Sequence, residues 1–377
     1  MSSRTPAPVC GPICVVAPLP PPYGGMSLQA QKLISRLQLE EIPVAVVATN
    51  PNLPSLLTWA ANVPGLRTLI RELQYIPALL RRSRGCKVVH HFSASDLYFF
   101  AHSAPVLLLG ALLRKRVILN YRGGNAAKFL TRYGWCSLPL MRLASMVCVP
   151  SEFLKEVFGE WGVTTFLLPN IADTEAFVWR QRDHFSPKLL MTRHLEPLYN
   201  VECALRAFRR IQERFPEATF TIAGDGSEFR RLEALVKDWN LAGVRFAGEV
   251  AASNLPYLYA SHDIYLNSSN VDNFPGALVE AACCGLPIVT TGAGGIAFMI
   301  QNRANGIIVG LDDDLALASG VIEILLNPAL GRKLARKARD WAEQFTWSKV
   351  FPRLLMAYGG PDSDLEPQIP EVQVFTS

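Results

Sequence analysis

Two carboxylates eight positions apart stand at the densest concentration of chemistry in this sequence, the segment Asp272-Asn-Phe-Pro-Gly-Ala-Leu-Val-Glu280. Asp272 belongs to a loop and Glu280 to the second turn of the helix that the segment opens. Pro275 has no N–H, so Gly276 and Ala277 are the better backbone donors at that helix start. A carboxylate beside a helix N-terminus can grip sugar hydroxyls through charge-assisted hydrogen bonds while the free N–H groups hold an anion. The second carboxylate can span the two hydroxyls of a ribose. The small residues Ala281, Ala282, Cys283 and Cys284 let such a helix sit close to a sheet.

The elements that must position this segment read as a repeated strand–helix alternation, which implies parallel sheets. Ile13–Ala17 is an apolar strand, followed by the loop Pro18–Gly25, a helix over Ser27–Leu39 and a strand over Pro43–Ala48. Strands continue at Val88–His91, Val117–Asn120, Met146–Pro150 and Phe166–Leu168, with a helix at Glu152–Trp161. A second α/β series starts at Leu189–Thr192. It carries strands at Thr219–Ala223, Val244–Ala247, Ile264–Asn267 and Pro287–Thr291, and helices at Val201–Phe215, Phe229–Trp239 and Ala277–Cys284. The expected layout is an N-terminal Rossmann-like domain over 1–172, a linker over 173–187 and a second Rossmann-like domain over 188–345. A helix over 346–360 is expected to return to the first domain, ahead of a disordered tail at 361–377. Two doubly wound sheets facing each other leave a cleft at the carboxyl ends of their strands, where ligands of open α/β sheets bind.

Composition sets the outer limits. With 377 residues, 50% hydrophobic and 18% charged, the chain holds enough apolar material for two cores, and global disorder is excluded. Its net charge of +5 is too modest to indicate nucleic acid. Residues 1–176 nevertheless hold 17 Lys and Arg against 9 Asp and Glu, so the front half is basic and the remainder slightly acidic. That polarity suits a phosphorylated acceptor or an anionic membrane, or is an ordinary basic surface. Within it, Leu66–Lys87 interleaves six Arg and Lys with leucines and isoleucines, a pattern open to a membrane-interface helix or to a core helix with a cationic outer face. The eight cysteines form no C-x-x-C pair and fit reduced thiols of a cytosolic protein. No secretory signal is visible, and the most apolar window, Leu97–Leu113, holds His102 and Pro105, so it reads as a buried helix.

The Asp272–Thr291 segment resembles the retaining glycosyltransferases of family 4, of GT-B architecture, whose pattern is Glu-x7-Glu followed by Ala-x-Ala-x-Gly-x-Pro-Val-Val. This chain keeps the spacing and the Gly285-x-Pro287 tail and puts Asp at the first acid. Pro22-Tyr-Gly-Gly-Met26, Val149-Pro-Ser151, Leu168-Pro-Asn-Ile171, Ala223-Gly-Asp-Gly226 and Phe246-Ala-Gly-Glu-Val250 are similar to further family segments. The resemblance implies a hexosyl-type transferase that needs no metal or cofactor and uses a UDP- or GDP-sugar. Its acceptor would be a saccharide or a lipid-linked saccharide, in surface polysaccharide or glycoconjugate synthesis. It implies Asp272 on the donor sugar, Glu280 on the ribose, Arg193 on the diphosphate, and donor contacts from Gly24, Gly25, Asn273, Phe274, Gly276, Ala277, Gly248, Glu249 and Val250. A cytoplasmic location follows, with peripheral contact at the inner face of the membrane through the basic half.

The family's Lys about six residues after Arg193 is Tyr199 here, and Phe298 stands where Glu is common. Another cation would then have to serve the diphosphate. Arg122, in Asn120-Tyr-Arg-Gly-Gly124, is a phosphate or acceptor candidate, and His91 at a strand end is a second. The two departures also keep open a non-catalytic sugar-binding or partner subunit, and an epimerase of the same fold. Asp312-Asp-Asp314 reads as a solvated turn before a helix. Gly224-x-Gly226 lacks the third glycine of a dinucleotide fingerprint.

Overall fold

The computed structural model describes residues 11–21, 24–53 and 66–359. Pro22 and Tyr23 of the first loop, and the tail at 361–377, lie outside the described residues. The first half of the chain runs β1 (Ile13–Ala17), α1 (Gly25–Leu39), β2 (Val44–Ala48), α2 (Leu66–Arg84) and β3 (Val88–Ser93). It continues with α3 (Asp96–Tyr98), α4 (Ala104–Leu112), β4 (Arg116–Tyr121), α5 (Ala126–Met141), β5 (Met146–Val149), α6 (Glu152–Gly159) and β6 (Phe166–Leu167). The second half runs β7 (Lys188–Thr192), α7 (Val201–Arg214), β8 (Thr219–Ala223), α8 (Phe229–Asp238), β9 (Val244–Gly248) and α9 (Leu255–Ala260). Then come β10 (Ile264–Asn267), α10 (Gly276–Cys283), β11 (Ile288–Thr291), α11 (Ile296–Met299), β12 (Ile307–Val309), α12 (Asp314–Leu326), α13 (Pro328–Ala342) and α14 (Trp347–Ala357).

The strands form two six-stranded sheets, ordered β2-β1-β3-β4-β5-β6 and β12-β11-β10-β7-β8-β9. All named pairs are parallel. Strands sandwiched between helix layers must be apolar on both faces, which is why Ile13-Cys-Val-Val-Ala17 and Ile264-Tyr-Leu-Asn267 show no alternation and are wholly buried. Helix α7 shows the complementary logic: Val201, Ala204, Leu205, Phe208 and Ile211 fall on one face and fill the second core, while Arg206 and Arg210 point out to Asp312 and Asp314. The acidic run at 312–314 is therefore an ion-paired turn that caps α12 through Asp313.

After the second sheet the chain crosses back. Val350, Leu354, Ala357 and Tyr358 of the α14 segment pack with Ile13, Val15 and Leu33 in the first core. Where the two crossings meet, the Ala172 N–H donates to the Phe345 carbonyl at 2.8 Å. The segment between the domains is docked on the second one: Phe177 and Phe185 are buried, and Arg182 donates to Asp263 at 3.0 Å and to the carbonyls of His262 and Cys284.

Two readings from the sequence are corrected here. The Leu97–Leu113 window is helical as expected, continuous over Asp96–Leu112 with a π-helical turn at Phe99–Ser103, but it is not wholly buried: Leu97, Leu108 and Leu112 are exposed while Phe99, Val106 and Leu107 are buried. Only one face of that window meets the sheet, so hydropathy alone overstates its burial. His91 does not reach the cleft. It is fully buried, its Nδ1 3.1 Å from the Val16 carbonyl and its Nε2 2.8 Å from Ser103 Oγ. Its neighbour His90 is also buried and sits 2.9 Å from Tyr358 Oη and 3.0 Å from Asn120 Nδ2.

Both histidines serve the fold, with a consequence for pH. Burial pushes each imidazole down to about 3, so the folded protein keeps them neutral while the unfolded chain protonates them near 6.5. Stability is then complete above 6.5 and falls as the pH drops below it, by ~1.4 kcal/mol per histidine at pH 5.5. Urea titrations from pH 7.5 to 5.5 should show this slope, and His91→Asn should reduce it by about one proton's share. An unchanged slope in that variant would assign the acid sensitivity elsewhere.

Candidate active site

The second sheet begins at β7 and grows first through β8 and β9, then through β10, β11 and β12 on the other side. Its strand order thus reverses between β7 and β10, and a crevice opens at their carboxyl ends. Arg193 follows β7 directly, and Asp272 lies in the loop after β10, so the topology alone brings the two together. Their side chains form an ion pair, Nη2 to Oδ2, at 2.6 Å, with about a tenth of each exposed. Arg193 Nε also donates to the buried Asn267 at 3.1 Å, and its guanidinium lies 5.1 Å from the centre of the Tyr199 ring. Burial pushes the Asp272 carboxyl up, and Arg193 and the Asn273 N–H partly offset that; burial also pushes Arg193 down, but Asp272 together with Tyr265, Tyr199 and Tyr259 outweighs it and leaves Arg193 above its ordinary value.

Two close approaches make this arrangement possible. Gly224, at φ +146°, lets the loop after β8 lie on the Arg193 backbone, where a Cβ would come within 1.9 Å of the carbonyl oxygen. Gly295 lets the loop after β11 back the Asp272–Asn273 turn; a Cβ there would sit 1.8 Å from the Asn273 oxygen.

Glu280 lies on α10, and its Oε2 accepts from Tyr259 Oη at 3.0 Å. Tyr259 is itself fixed by Thr192 Oγ1 at 2.5 Å, so the carboxylate is anchored from the sheet side. Small residues on α10 produce that depth: Ala281, Ala282 and Cys283 are buried in a separate cluster with Leu190, Tyr265 and Ile288 of the second sheet. From the first domain, Ser151 Oγ meets Asn273 Oδ1 at 2.5 Å, Asn170 Nδ2 donates to the Phe274 carbonyl at 3.3 Å, and Phe153 packs on Phe298 at 6.0 Å between ring centres. These contacts join the rim of one domain to the loop of the other that holds Asp272.

Between the sheets lies a cavity of about 1010 Å³. The structure brings Asp272, Glu280, Arg193, Arg122, Gly25, Asn273, Phe274, Gly276, Ala277, Glu249 and Val250 to its wall. Gly24 and Gly248 stand beside it and do not line it: Gly24 closes the start of α1 with Ser27, and the Gly248 carbonyl accepts from the Gly224 N–H at 2.7 Å. Lys32 and Gln29 also line the cavity. Both were legible in principle, because they lie within two turns of Gly24-Gly25 on the α1 face that also carries Leu28. Among the described residues no group of three or more His, Cys, Asp or Glu could hold a metal.

Residues 175–341 match the family model described as glycosyl transferases group 1, and they contain the whole Arg193–Asp272–Glu280 constellation. The match covers the second domain, less than half of the chain, and it is that domain which groups with the group 1 glycosyl transferases. The transferase is 24% identical over 299 residues to the GDP-mannose-dependent alpha-(1-6)-phosphatidylinositol monomannoside mannosyltransferase of Mycolicibacterium smegmatis, covering 70% of this chain and 76% of the relative. It is 28% identical over 188 residues to the D-inositol 3-phosphate glycosyltransferase of Salinispora arenicola, covering 47% of this chain and 42% of the relative. The chain therefore spans less than half the length of the second relative. Among solved structures, Anabaena Alr3699/HepE in complex with UDP and glucose superimposes with a TM-score of 0.70 over 92% of this chain and 99% of its own, at 18% identity. That likeness establishes the fold: two Rossmann-like domains facing across a cleft, the GT-B architecture.

Proposed function

We propose that this glycosyltransferase moves a sugar, with retention of its anomeric configuration, from a UDP- or GDP-sugar to a hydroxyl of a saccharide or lipid-linked acceptor, in surface polysaccharide or glycoconjugate synthesis. The observation that carries the reading is one cavity wall holding a buried Arg193–Asp272 pair, the open N-terminus of α10 and the anchored Glu280. Relatives and neighbours whose names include GDP-mannose and UDP support a nucleotide-sugar donor and leave the base open.

In this mechanism Arg193 and the N–H groups of Gly276 and Ala277 face the diphosphate. They stabilise the charge that builds on it as the bond from the sugar C1 to the phosphate oxygen breaks and the electron pair goes to that oxygen. Asp272 holds the sugar hydroxyls. The acceptor oxygen bonds to C1 on the face the diphosphate leaves, and its proton passes to the departing phosphate oxygen, so no side-chain base is consumed. Glu280 offers Oε1 to the ribose while Tyr259 holds Oε2. The acceptor enters from the first domain. There α2 exposes Arg67, Arg81, Arg82 and Arg84 together with Leu73 and Ile76, which supports peripheral contact with an anionic surface. Among the described residues no single helix is long and apolar enough to cross a membrane.

A thermal-shift series across nucleoside diphosphates and their sugars tests the donor assignment, because selective binding raises the melting temperature by mass action. One base should stand out, and its sugar should release nucleotide when acceptor glycans are added. Scalar coupling at the product's anomeric proton then reports retention. A flat series would reject a nucleotide-sugar donor, and an inverted product would reject the front-face step.

A further inference from the structure

The Tyr199 ring lies against Arg193, and among the described residues Arg193 is the one guanidinium that the second domain brings to the cavity wall. The first domain brings two cations to the same cavity, Lys32 and Arg122, and the surroundings of Arg122 single it out. Arg122 follows β4, whose carboxyl end faces the second domain, and its backbone N–H donates to the Ser93 carbonyl at 2.9 Å, which fixes the root of the side chain. The guanidinium lies 4.7 Å from the centre of the Phe92 ring, and Nη1 donates to Asn170 Oδ1. Its Nε is buried with no hydrogen-bond partner. Among the described residues no carboxylate offsets the cost of that burial, which pushes Arg122 down to about 9 and leaves it charged at neutral pH. A half-buried arginine with no acid partner and an unused donor lacks its anion.

The neighbouring contact says where that anion belongs. Asn170, which accepts from Arg122, donates through Nδ2 to the Phe274 carbonyl, in the loop that ends at the N-terminus of α10. Arg122 and the Gly276–Ala277 donors are thus linked through one side chain across the domain boundary, and both line the cavity.

We propose that Arg122 binds the diphosphate of the donor from the first domain, supplying the positive charge that Tyr199 does not. This rests on the nucleotide-sugar reading above. It makes the phosphate site a joint product of both domains, with Arg193 on one side and Arg122 on the other. The alternative source of an anion, a phosphate or carboxylate on the acceptor, would also meet Arg122 and is separated by the test.

The test measures binding of nucleoside, nucleoside monophosphate and nucleoside diphosphate, for the base selected by thermal shift, by calorimetry on the full chain. Arg122→Gln should weaken the diphosphate about 10- to 100-fold while leaving the nucleoside unchanged. Tyr199→Lys, which restores a cation on the other wall, should recover most of that loss in the Arg122→Gln background and improve the wild type by less than about threefold. Arg122→Lys keeps the charge and loses the stacked, forked geometry, so an intermediate loss is expected from it even if the glutamine variant folds poorly. Undiminished diphosphate affinity in both Arg122 variants overturns the proposal, and a raised acceptor KM alongside would assign Arg122 to the acceptor. Failure of the wild type to bind any nucleotide would instead refute the donor reading on which the proposal stands.

Discussion

Asp272→Asn should lower turnover about 10³-fold while the affinity for nucleoside diphosphate holds or rises, up to ~10-fold. The two effects separate because Asp272 faces two ways. In the proposed mechanism its carboxylate makes charge-assisted hydrogen bonds to the sugar that orient C1 for reaction, and an amide of the same shape both loses the charge and turns one acceptor into a donor. Toward the protein, it sits 2.6 Å from Arg193 and neutralises much of the charge that a diphosphate would otherwise meet. Removing that charge frees Arg193 for the leaving group. A kcat fall with a KM or Kd that does not rise is therefore the expected signature, read by nucleotide release and by calorimetry on a variant whose circular dichroism matches wild type. Loss of diphosphate affinity in parallel with turnover would show instead that the pair acts only to hold Arg193 in place. Acid should imitate the substitution: burial raises the Asp272 carboxyl, so the low-pH limb of kcat is expected above the ordinary carboxylate range.

What could be read from the sequence followed from locality. The apolar runs that became β1, β8, β10 and β11 needed no partner to be recognised, because a parallel strand buried on both faces is written as an unbroken run. The Asp272–Glu280 segment was equally legible, since a loop, a helix start and its small residues lie within one stretch of chain. What was hidden depends on pairing between distant segments. Arg193 and Asp272 are separated by 79 positions, and their contact follows only from the strand order that sets β7 beside β10. His91 looked available because strand alternation puts one of two adjacent histidines on each face; the helix that covers its face, through Ser103, is not part of its local pattern. Lys32 and Asn170 lie beside segments that the sequence did mark, Gly24-Gly25 and Leu168–Ile171, but which side chain of each meets the cleft depends on how the two domains face each other. The helix Ala126–Met141 has no counterpart in the sequence reading; its exposed Trp135 and internal Pro139 interrupt the apolar periodicity that would mark it.

Arg182 carries the remaining large effect, on stability, although it touches no ligand. It lies in the crossing between the domains with 1% of its side chain exposed, and its partner Asp263 is 8% exposed. Nε bonds Asp263 at 3.0 Å, Nη2 bonds the His262 carbonyl at 2.7 Å and Nη1 the Cys284 carbonyl at 2.8 Å. One guanidinium thus ties the crossing segment to the turn before β10 and to the end of α10, the two elements that carry Asp272 and Glu280. Arg182→Ala should cost roughly 3–5 kcal/mol in urea unfolding, because it strands a buried carboxylate, takes a donor from the buried carbonyls of Tyr259, His262, Cys284 and Gly285, and leaves a void. Arg182→Lys should restore little of this: an ammonium can balance Asp263 but cannot reach three acceptors in a planar fork. Adding Asp263→Ala to Arg182→Ala should return part of the loss, since the stranded charge goes with it, and the double-mutant cycle isolates that share. A single-variant loss below about 1 kcal/mol would mean that water satisfies those groups, and the strap would then be a passive connection between the domains.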